Sequence, residues 1–597
     1  MCGFIGAISN SIIDDSKFQE ADKFLECRGP DDHKWMEKKL NKKKNLLFSF
    51  HRLSIIDLSE NASQPMSSNK YESEIMFNGE IYNYPSLRKE IEKSGEQFTT
   101  SHSDTETLLL GFSLKGKSFV NELEGQFSIA FVNSKNNTLT LFRDRLGQKP
   151  MYYSINKDGI VFSSNFKSIL SYKKNLNLDI EQMTNFIELG IVPSPNTLDK
   201  DIFKLCPGEL IEISLDDFTI LEQYRYWQIE DFIDNKNFDE KEFFKLFHSA
   251  VKKRLISDVP VASLLSGGID STSILKSLTE INDEPVNTYS INNTDQKYDE
   301  SYWSFLASKT FNSNHMFEII DGKNLQINPV EVIKSFDEPY ADPSIFPSNL
   351  VYRTISNNYK VAISGDGGDE LIGGYEKIHQ SINKGFISSK LIFILKKLIP
   401  SFFGTANNLE KFSNSPIGQY KSLTIDNRLL NVLSLNSQNT FENFLIKEDI
   451  PILKKLLIAD YKFYLSELMM HKVDRTSMAN SVEIRSPFLD HKLVEYVISS
   501  NLSFFEKSNP KKILKNYLKE DFDDEFLERK KMGFVFDLES WIFGNKDMIL
   551  SEIDTINYLQ IQKVKKLFKY KSRINSIRIL KLFTLSVLIN EYKSITD

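Results

Sequence analysis

Cysteine is scarce in this chain, which has only Cys2, Cys27 and Cys206 among its 597 residues. So few thiols cannot form a dense disulfide framework, and their low number is typical of proteins in a reducing compartment. We therefore expect a cytoplasmic location.

Long apolar runs are also missing. No stretch approaches 18 uncharged apolar residues, so the sequence predicts no transmembrane helix. The N-terminus, MCGFIGAISNSIIDD, has no basic leader and soon turns acidic, unlike a secretory signal peptide. We therefore do not expect the protein to interact with a membrane.

Basic residues are not in excess. The chain has 74 Lys and Arg against 81 Asp and Glu, a formal net charge of −7, which argues against a nucleic-acid binder with a broad basic surface. Apolar residues make up 41% and aromatic residues 12%, which suffices for sizeable cores. At about 150 residues per domain, the length predicts two to four domains.

The first third of the chain has the pattern of a β-rich domain. Several segments alternate apolar and polar positions, as around Phe127, Ile129 and Phe131, which is the period of a sheet with one buried face. Short strands with few helices between them predict stacked antiparallel sheets. The predicted strands are residues 3–8, 46–57, 74–81, 127–132, 139–143, 151–154 and 160–164. A cluster of lysines between the first two strands is interpreted as a solvated loop; it contains Lys38, Lys39, Lys42, Lys43 and Lys44.

The pattern changes after about residue 225. A polar segment, residues 228–241, looks like a linker, and beyond it strand patterns alternate with helix patterns, which predicts a parallel, doubly wound sheet. The predicted strands are residues 261–265, 286–291, 316–320 and 360–364, and the predicted helices are residues 271–281, 301–310 and 329–336. The remainder is predicted to be mostly helical, with the apolar segment 389–400 as a buried helix rather than a membrane-surface helix. We divide the chain into a front domain (1–215), a linker (216–240) and a rear domain (241–597).

Cys2 is a candidate nucleophile. Removal of the initiator Met would leave it with a free α-amine, whose reference pKa of about 7.7–8.0 suits a base near neutral pH. The thiolate is the reactive form of cysteine, and a nucleophile activated by an amine can begin acyl transfer.

Polar residues that could complete this site lie on short motifs of the front domain. Arg52 suits a substrate carboxylate, and Glu80 and Asp104 suit an α-ammonium group. The Asn78 side chain and the Gly79 N–H can form an oxyanion hole.

The motifs MCGFIG, RGPDD, HRLSIID, NGEIYN, SDTE and RDRLGQKPMYY resemble those of the glutaminase domain of class II glutamine amidotransferases, which are N-terminal-nucleophile hydrolases. The resemblance implies an αββα sandwich that hydrolyses glutamine to glutamate and ammonia, with Cys2 as the nucleophile. The residues that it implies for glutamine binding are Arg52, Asn78, Gly79, Glu80 and Asp104.

A glycine-rich loop, Ser266-Gly267-Gly268-Ile269-Asp270-Ser271, lies between a predicted strand and a predicted helix of the rear domain. Its glycines let the backbone approach a ligand, and N–H groups at a helix start favour phosphate. Ser266 and Ser271 can add hydroxyl donors, and Asp270 can hold Mg²⁺. The loop lacks the Gly-Lys-Ser/Thr of a Walker A motif.

A second loop, Ser364-Gly365-Asp366-Gly367-Gly368-Asp369-Glu370, follows another predicted strand. Open α/β sheets bind ligands at the carboxyl ends of their strands. The three carboxylates of this loop suit Mg²⁺ binding or general-base chemistry.

The first loop resembles the pyrophosphate-binding loop of N-type ATP pyrophosphatases, and nearly the whole chain resembles the glutamine-hydrolysing asparagine synthetase family. Further matching segments are DEPYADPS at 337–344, DRTSMA at 474–479 and EIRSPFLD at 483–490. The resemblance implies a doubly wound α/β adenylation domain with helical additions, and ATP and Mg²⁺ as cofactors.

The same resemblance implies individual roles in the rear domain. Asp270 and Asp369 are the implied Mg²⁺ ligands, and Asp366 is the implied acidic base. Lys511 is implied to stabilise the pentacoordinate phosphorus, with the adjacent Lys512 as the alternative. The residues implied at the ATP site are Leu264, Ser266, Gly267, Gly268, Asp270, Ser271, Ile291, Ser364 and Gly365.

The implied reaction has two stages. A carboxylate, aspartate in the parent reaction, attacks the α-phosphate of ATP and forms an acyl-adenylate and pyrophosphate. Cys2 releases ammonia from glutamine, and the ammonia crosses an internal tunnel and displaces AMP. The expected partners are therefore small molecules, and the oligomeric state stays open, with a homodimer as one candidate.

Three alternatives stay open. A related amidotransferase could amidate a sugar carboxylate in surface-polysaccharide biosynthesis. A related enzyme could close a β-lactam, although members of that group usually lack the cysteine. A catalytically silent binding protein is the third, and the presence of Cys2, Arg52 and Asp270 argues against it.

Overall fold

The computed structural model describes residues 2–40, 44–293, 300–320, 327–383, 415–529, 537–556 and 558–597. The predicted helix at 389–400 therefore lies outside the described residues, as do Lys42 and Lys43 of the lysine cluster.

Two antiparallel six-stranded sheets form the front domain. Their strand orders are β10-β8-β9-β1-β3-β2 and β12-β11-β7-β6-β5-β4. The first sheet contains β1 (Gly3–Ser9), β2 (Asp32–Leu40), β3 (Lys44–Arg52), β8 (Tyr152–Asn156), β9 (Gly159–Ser163) and β10 (Phe203–Lys204). The second contains β4 (Met66–Ser68), β5 (Ser73–Ile81), β6 (Gly125–Asn133), β7 (Thr138–Arg143), β11 (Glu209–Ser214) and β12 (Ile220–Arg225).

The two sheets pack face to face and are covered by helices. Phe4, Phe48 and Phe50 of the first sheet share a buried cluster with Val132 and Leu141 of the second. Helices α1 (Asp15–Asp22) and α4 (Phe166–Lys173) pack against one another beside the first sheet, and α2 (Tyr84–Lys93) and α3 (Asp104–Lys115) lie on the second; α5 is Ile180–Leu189. The layers form the predicted αββα sandwich.

Two details of the strand prediction were wrong. Lys38 and Lys39 belong to β2 rather than to a loop, since an edge strand tolerates lysines. Lys44 of the same cluster begins β3 and is buried rather than solvated. The strand predicted at 46–57 ends at Arg52, because the chain then folds back and Asp57 adopts a positive φ of 50°. In addition, β12 lies within the predicted linker, and the predicted domain boundaries stay predictions.

A parallel five-stranded sheet forms the centre of the rear domain, in the order β15-β14-β13-β16-β17. The order reverses between β13 and β16, and ligands bind at such a switch point in doubly wound sheets. The strands are β13 (Val261–Leu264), β14 (Asn287–Asn293), β15 (Asn314–Ile320), β16 (Val361–Ile363) and β17 (Glu483–Arg485).

Helices surround this sheet and fill most of the remaining described chain. The first of them are α6 (Glu240–Lys253), α7 (Ile269–Ile281), α8 (Ser301–Thr310), α9 (Pro329–Ser335), α10 (Ile345–Ile355), α11 (Gly368–Ile372) and α12 (Glu376–Asn383). Later helices span Pro416–Thr424, Asn427–Leu433, Ile452–Ala459, Met470–Met478, His491–Ser499, Lys512–Leu518, Asp524–Glu528, Leu538–Gly544, Lys546–Asp554, Ile561–Val564 and Arg573–Thr596, and a π-helix spans Asp460–Met469. Among the helices of the described ranges, none has the length and apolar character needed to cross a membrane.

Candidate active sites

Cys2 stands at the start of β1, where the two sheets of the front domain face each other. Its backbone N–H donates to the Asn78 side-chain oxygen at 3.0 Å, so β1 and β5 bring together residues 76 positions apart. Burial raises the pKa of the Cys2 thiol, whereas the Leu53 N–H and the Arg52 guanidinium favour the thiolate. As the candidate nucleophile, Cys2 would therefore depend on its neighbours for activation.

Gly79 is held in a backbone conformation that suits glycine alone. Its φ is +153°, and a Cβ at this position would lie 2.0 Å from the Gln126 carbonyl oxygen. Neighbouring Asn78 is completely buried, and its amide nitrogen lies 3.5 Å from the Ser128 hydroxyl. The Asn78 amide and the Gly79 N–H are therefore fixed by the pairing of β5 with β6.

Arg52 offers a buried positive charge beside Cys2. Its guanidinium donates to the carbonyl oxygens of Ser59 at 3.0 Å and Ile56 at 3.3 Å. Within the described ranges, no carboxylate lies within 4 Å of it, so its charge is available for a substrate carboxylate.

Two buried carboxylates face the same cavity. Five residues that the sequence analysis assigns to one site line this cavity: Cys2, Arg52, Gly79, Glu80 and Asp104. Burial raises the pKa of Asp104 to about 6, against the opposing N–H groups of Ile81 and Thr105. Burial likewise raises the pKa of Glu80, although Arg485 opposes this shift.

The rear domain contributes side chains to this front site, which the sequence analysis missed. Arg28 donates from Nε to the Cys2 carbonyl oxygen at 3.1 Å and from its two terminal nitrogens to Asp474 at 2.9 and 3.1 Å. Glu483 lines the cavity itself. Asp474 and Glu483 lie in the segments DRTSMA and EIRSPFLD, which signalled the resemblance but not a contact with the front domain.

The first loop of the rear site follows β13 and leads into α7, as predicted. Gly267 has a φ of +69°, and a Cβ there would lie 2.5 Å from the backbone of Trp303. The Ser266 and Ser271 hydroxyls lie 3.2 Å apart, and the Gly268 N–H donates to the Ser266 hydroxyl at 3.3 Å. The loop therefore presents several donors at the start of a helix, where phosphate is favoured.

The second loop follows β16 and contacts the first. A Cβ on Gly365 would lie 3.1 Å from the Asp270 Cβ, and one on Gly368 would lie 2.9 Å from the Asp270 carboxylate carbon. The Ser364 hydroxyl donates to Asp366 at 2.8 Å. Leu264 ends β13 and Ile291 lies in the neighbouring β14, at the same edge of the sheet.

Lys511 lies at the centre of the rear site. Its ammonium group is 2.5 Å from Asp270 and 2.6 Å from Asp369, whereas Lys512 pairs with Glu506 at 2.6 Å on the surface. Burial alone would lower the pKa of Lys511, but the two carboxylates raise it above its ordinary value. Asp270 and Asp369 therefore both contact the Lys511 ammonium group, and carboxylate oxygens such as theirs are the ligand type that Mg²⁺ prefers.

Arg485 connects the two sites. Its guanidinium donates to Glu80 at 2.7 Å and to Glu483 at 2.6 Å, and its carbonyl oxygen accepts from the Ser364 N–H at 3.0 Å. The next residue, Ser486, contacts the Ser364 hydroxyl at 2.9 Å. The dipeptide Arg485-Ser486, at the end of β17, thus contacts both the front cavity and the second loop of the rear site.

Comparison with known proteins agrees with this arrangement. The family described as "Asparagine synthase" matches residues 242–578, and the family described as "Glutamine amidotransferase domain" matches residues 1–227. The chain is an amidotransferase ligase with a glutamine amidotransferase domain in its first 227 residues. It belongs to the glutamine-hydrolysing asparagine synthase family.

Curated relatives cover most of the chain. Asparagine synthetase [glutamine-hydrolyzing] 1 of Bacillus subtilis is 28% identical over 600 residues, which span 95% of this chain and 93% of the relative. Asparagine synthetase [glutamine-hydrolyzing] 3 of the same organism is 30% identical and spans 89% and 87%. A putative asparagine synthetase of Methanocaldococcus jannaschii is 32% identical and spans 63% and 76%.

Proposed function

We propose that the protein converts aspartate, glutamine and ATP into asparagine, glutamate, AMP and pyrophosphate. One observation carries the proposal: Arg485 joins the cavity of Cys2 to the loop that contacts Asp270. An enzyme that only hydrolyses glutamine would not need a second site, suited to phosphate, that is connected to the Cys2 cavity through Arg485. The relatives named as asparagine synthetases support aspartate as the acceptor.

In the front site, the Cys2 thiolate attacks the amide carbon of glutamine. Arg52 binds the substrate carboxylate, and Asp104 and Glu80 bind its ammonium group. The oxyanion of the tetrahedral intermediate is stabilised by the Asn78 amide and the Gly79 N–H. Ammonia leaves, and water hydrolyses the resulting thioester to glutamate, with the α-amine of Cys2 as the base.

In the rear site, the aspartate side-chain carboxylate attacks the α-phosphorus of ATP, and pyrophosphate leaves. The loop that begins at Ser266 holds the departing phosphates, and Lys511 stabilises the negative charge that develops on phosphorus. Asp270 and Asp369 would hold Mg²⁺, which supplies further charge stabilisation when bound. Asp366 accepts a proton when ammonia displaces AMP from the aspartyl-adenylate.

The test follows asparagine, glutamate and pyrophosphate together, with ATP, Mg²⁺, glutamine and aspartate supplied. We expect asparagine and pyrophosphate in equal amounts. The Cys2→Ala variant should use ammonia but not glutamine, and the Asp270→Asn variant should hydrolyse glutamine but form no asparagine. Glutamate release by the unaltered protein without asparagine would reject aspartate as the acceptor.

A further inference from the structure

A cavity separate from both sites lies between the two domains. Front-domain loops, the segment after β12 and the π-helix Asp460–Met469 line it. Its volume is about 190 Å³, and a single water needs only about 10–15 Å³. The cavity therefore has room for a small organic molecule.

Glu467 places a buried negative charge at this cavity. Its side chain accepts hydrogen bonds from the Ser194 hydroxyl at 2.8 Å and the Ser194 N–H at 3.2 Å, and only 6% of the residue is exposed. In the described part of the chain, no Lys, Arg or His nitrogen lies within 4 Å of its carboxylate. The guanidinium of Arg225 attracts this carboxylate without contacting it, and a buried carboxylate gains most from a cation in direct contact, so an ammonium group in the cavity would be favourable.

Two arginines that form no direct ion pair lie on the same cavity, although Glu209 and Glu467 attract the Arg225 guanidinium from a longer distance. Arg145 donates to the carbonyl oxygens of Leu123 at 2.6 Å and Asn121 at 3.0 Å, and Arg225 lies at the exposed end of β12. No described carboxylate lies within 4 Å of either guanidinium, whereas Lys462 of the same wall already pairs with Glu230. Arginines that form no direct ion pair can bind a ligand carboxylate.

Apolar side chains complete the wall. Trp227, Phe444 and Leu146 line the cavity, and the first two are at least nine-tenths buried. Trp227 is fixed by a hydrogen bond from its indole nitrogen to Glu495 at 2.7 Å. Aromatic and aliphatic side chains beside placed polar groups are typical of small-molecule sites.

We propose that this interdomain cavity binds a free α-amino acid. The ammonium group would pair with Glu467 and the carboxylate with Arg145 and Arg225, while the side chain packs against Trp227 and Phe444. A simple carboxylic acid would leave Glu467 without a cation in direct contact, and a simple amine would leave the arginines without an anion in direct contact. A zwitterion satisfies both.

The position of Glu467 in the fold supports a functional site. It belongs to the π-helix. Such segments are rare in proteins, and those that do occur are often found at functional sites. This segment continues directly into the helix Met470–Met478, whose Asp474 holds Arg28 beside Cys2. A ligand on Glu467 would therefore contact an element that reaches the glutaminase site.

Isothermal titration of the full-length protein with L-leucine tests the proposal, with isocaproate and isoamylamine as analogues that lack one of the two charges. We expect one leucine per chain, and about tenfold or greater loss of affinity in Arg225→Gln and in Glu467→Gln. Arg225 is exposed, so its variant tests the site even if Glu467→Gln folds poorly. Both analogues should bind at least about tenfold more weakly than leucine.

Two control variants define where leucine binds. Glu222→Gln lies on β12 but outside the cavity wall and should leave the affinity unchanged. Asp104→Asn alters the glutamine cavity and should also leave it unchanged, which separates this proposal from the proposed function. The proposal is overturned if leucine does not bind at millimolar concentrations, if Arg225→Gln binds it normally, or if isocaproate binds as tightly.

Discussion

The Arg485 guanidinium donates to the Glu80 carboxylate at 2.7 Å, across the boundary between the synthase domain and the glutaminase domain. The same guanidinium holds Glu483, and all three side chains are buried. Burial alone would raise the pKa of Glu483, but cations that include Arg485 lower it to about 2. One arginine therefore stabilises two buried carboxylates from different domains.

Replacing this arginine should destabilise the protein. We expect Arg485→Met to lower the free energy of unfolding by about 3–5 kcal/mol, since two buried carboxylates would lose their cation. Chemical denaturation measures the change. The matched variant that also carries Glu80→Gln and Glu483→Gln should recover much of the loss, and an unchanged stability of Arg485→Met alone would show that the contact contributes little.

Gly79→Ala should abolish glutamine use and spare ammonia use. The added Cβ would meet the Gln126 carbonyl oxygen at 2.0 Å and displace the N–H that we propose binds the oxyanion. We expect a loss of about 100-fold or more in the rate of glutamine hydrolysis, with ammonia-dependent asparagine synthesis retained.

Gly95→Ala is the matched control. Gly95 also has a positive φ, +97°, but a Cβ there meets no atom within 4 Å. It should lose about 1–2 kcal/mol of stability through backbone strain and keep its glutaminase rate. Equal glutaminase rates in both variants would contradict the assignment of Gly79.

Binding of glutamine should weaken below about pH 6. The raised pKa of Asp104, about 6 against an ordinary 3.8, means that its carboxylate gains a proton as the pH falls through 6. The attraction for the substrate ammonium is then lost, so the KM for glutamine should rise, while kcat changes less. Asp104→Asn should show a high KM that does not follow this titration, and an identical pH profile in both proteins would refute the role of Asp104.

The two adjacent lysines should differ sharply in their effects. Lys511→Met removes the cation between Asp270 and Asp369, so asparagine synthesis should fall by about 100-fold or more while glutamine hydrolysis persists. Lys512→Met removes only a half-exposed pair with Glu506, worth about 0–1 kcal/mol, and should leave both activities intact. Pyrophosphate release measures the first effect, and a reversed result would assign the role to Lys512.

Much of the fold follows from local pattern. Alternation around Phe127 and Ile129 predicts a half-buried strand, and β6 is such a strand. The glycine-rich loop at Gly267 predicts the turn between β13 and α7 in the same way. Such features depend on neighbours in sequence, so the sequence carries them.

Contacts between distant segments were not predictable in this way. Arg28 and Asp474 are 446 positions apart, and Glu80 and Arg485 are 405 apart, so no periodicity links them. Charges of opposite sign were visible in the motifs, but their burial and their pairing depend on how the domains dock. The choice of Lys511 over Lys512 likewise depends on which side chain the fold turns inwards.

The contacts of Arg28 and Glu80 have a consequence for dissecting the molecule. Both belong to the glutaminase domain, yet each has its oppositely charged partner in the other domain. If the chain were cut between residues 227 and 242 and the N-terminal part isolated, Arg28 and Glu80 would lose their partners. Their buried charges would then be exposed to water. The two halves are therefore not modules that can be exchanged freely: a domain grafted from another amidotransferase would have to bring matching partners for Arg28 and Glu80.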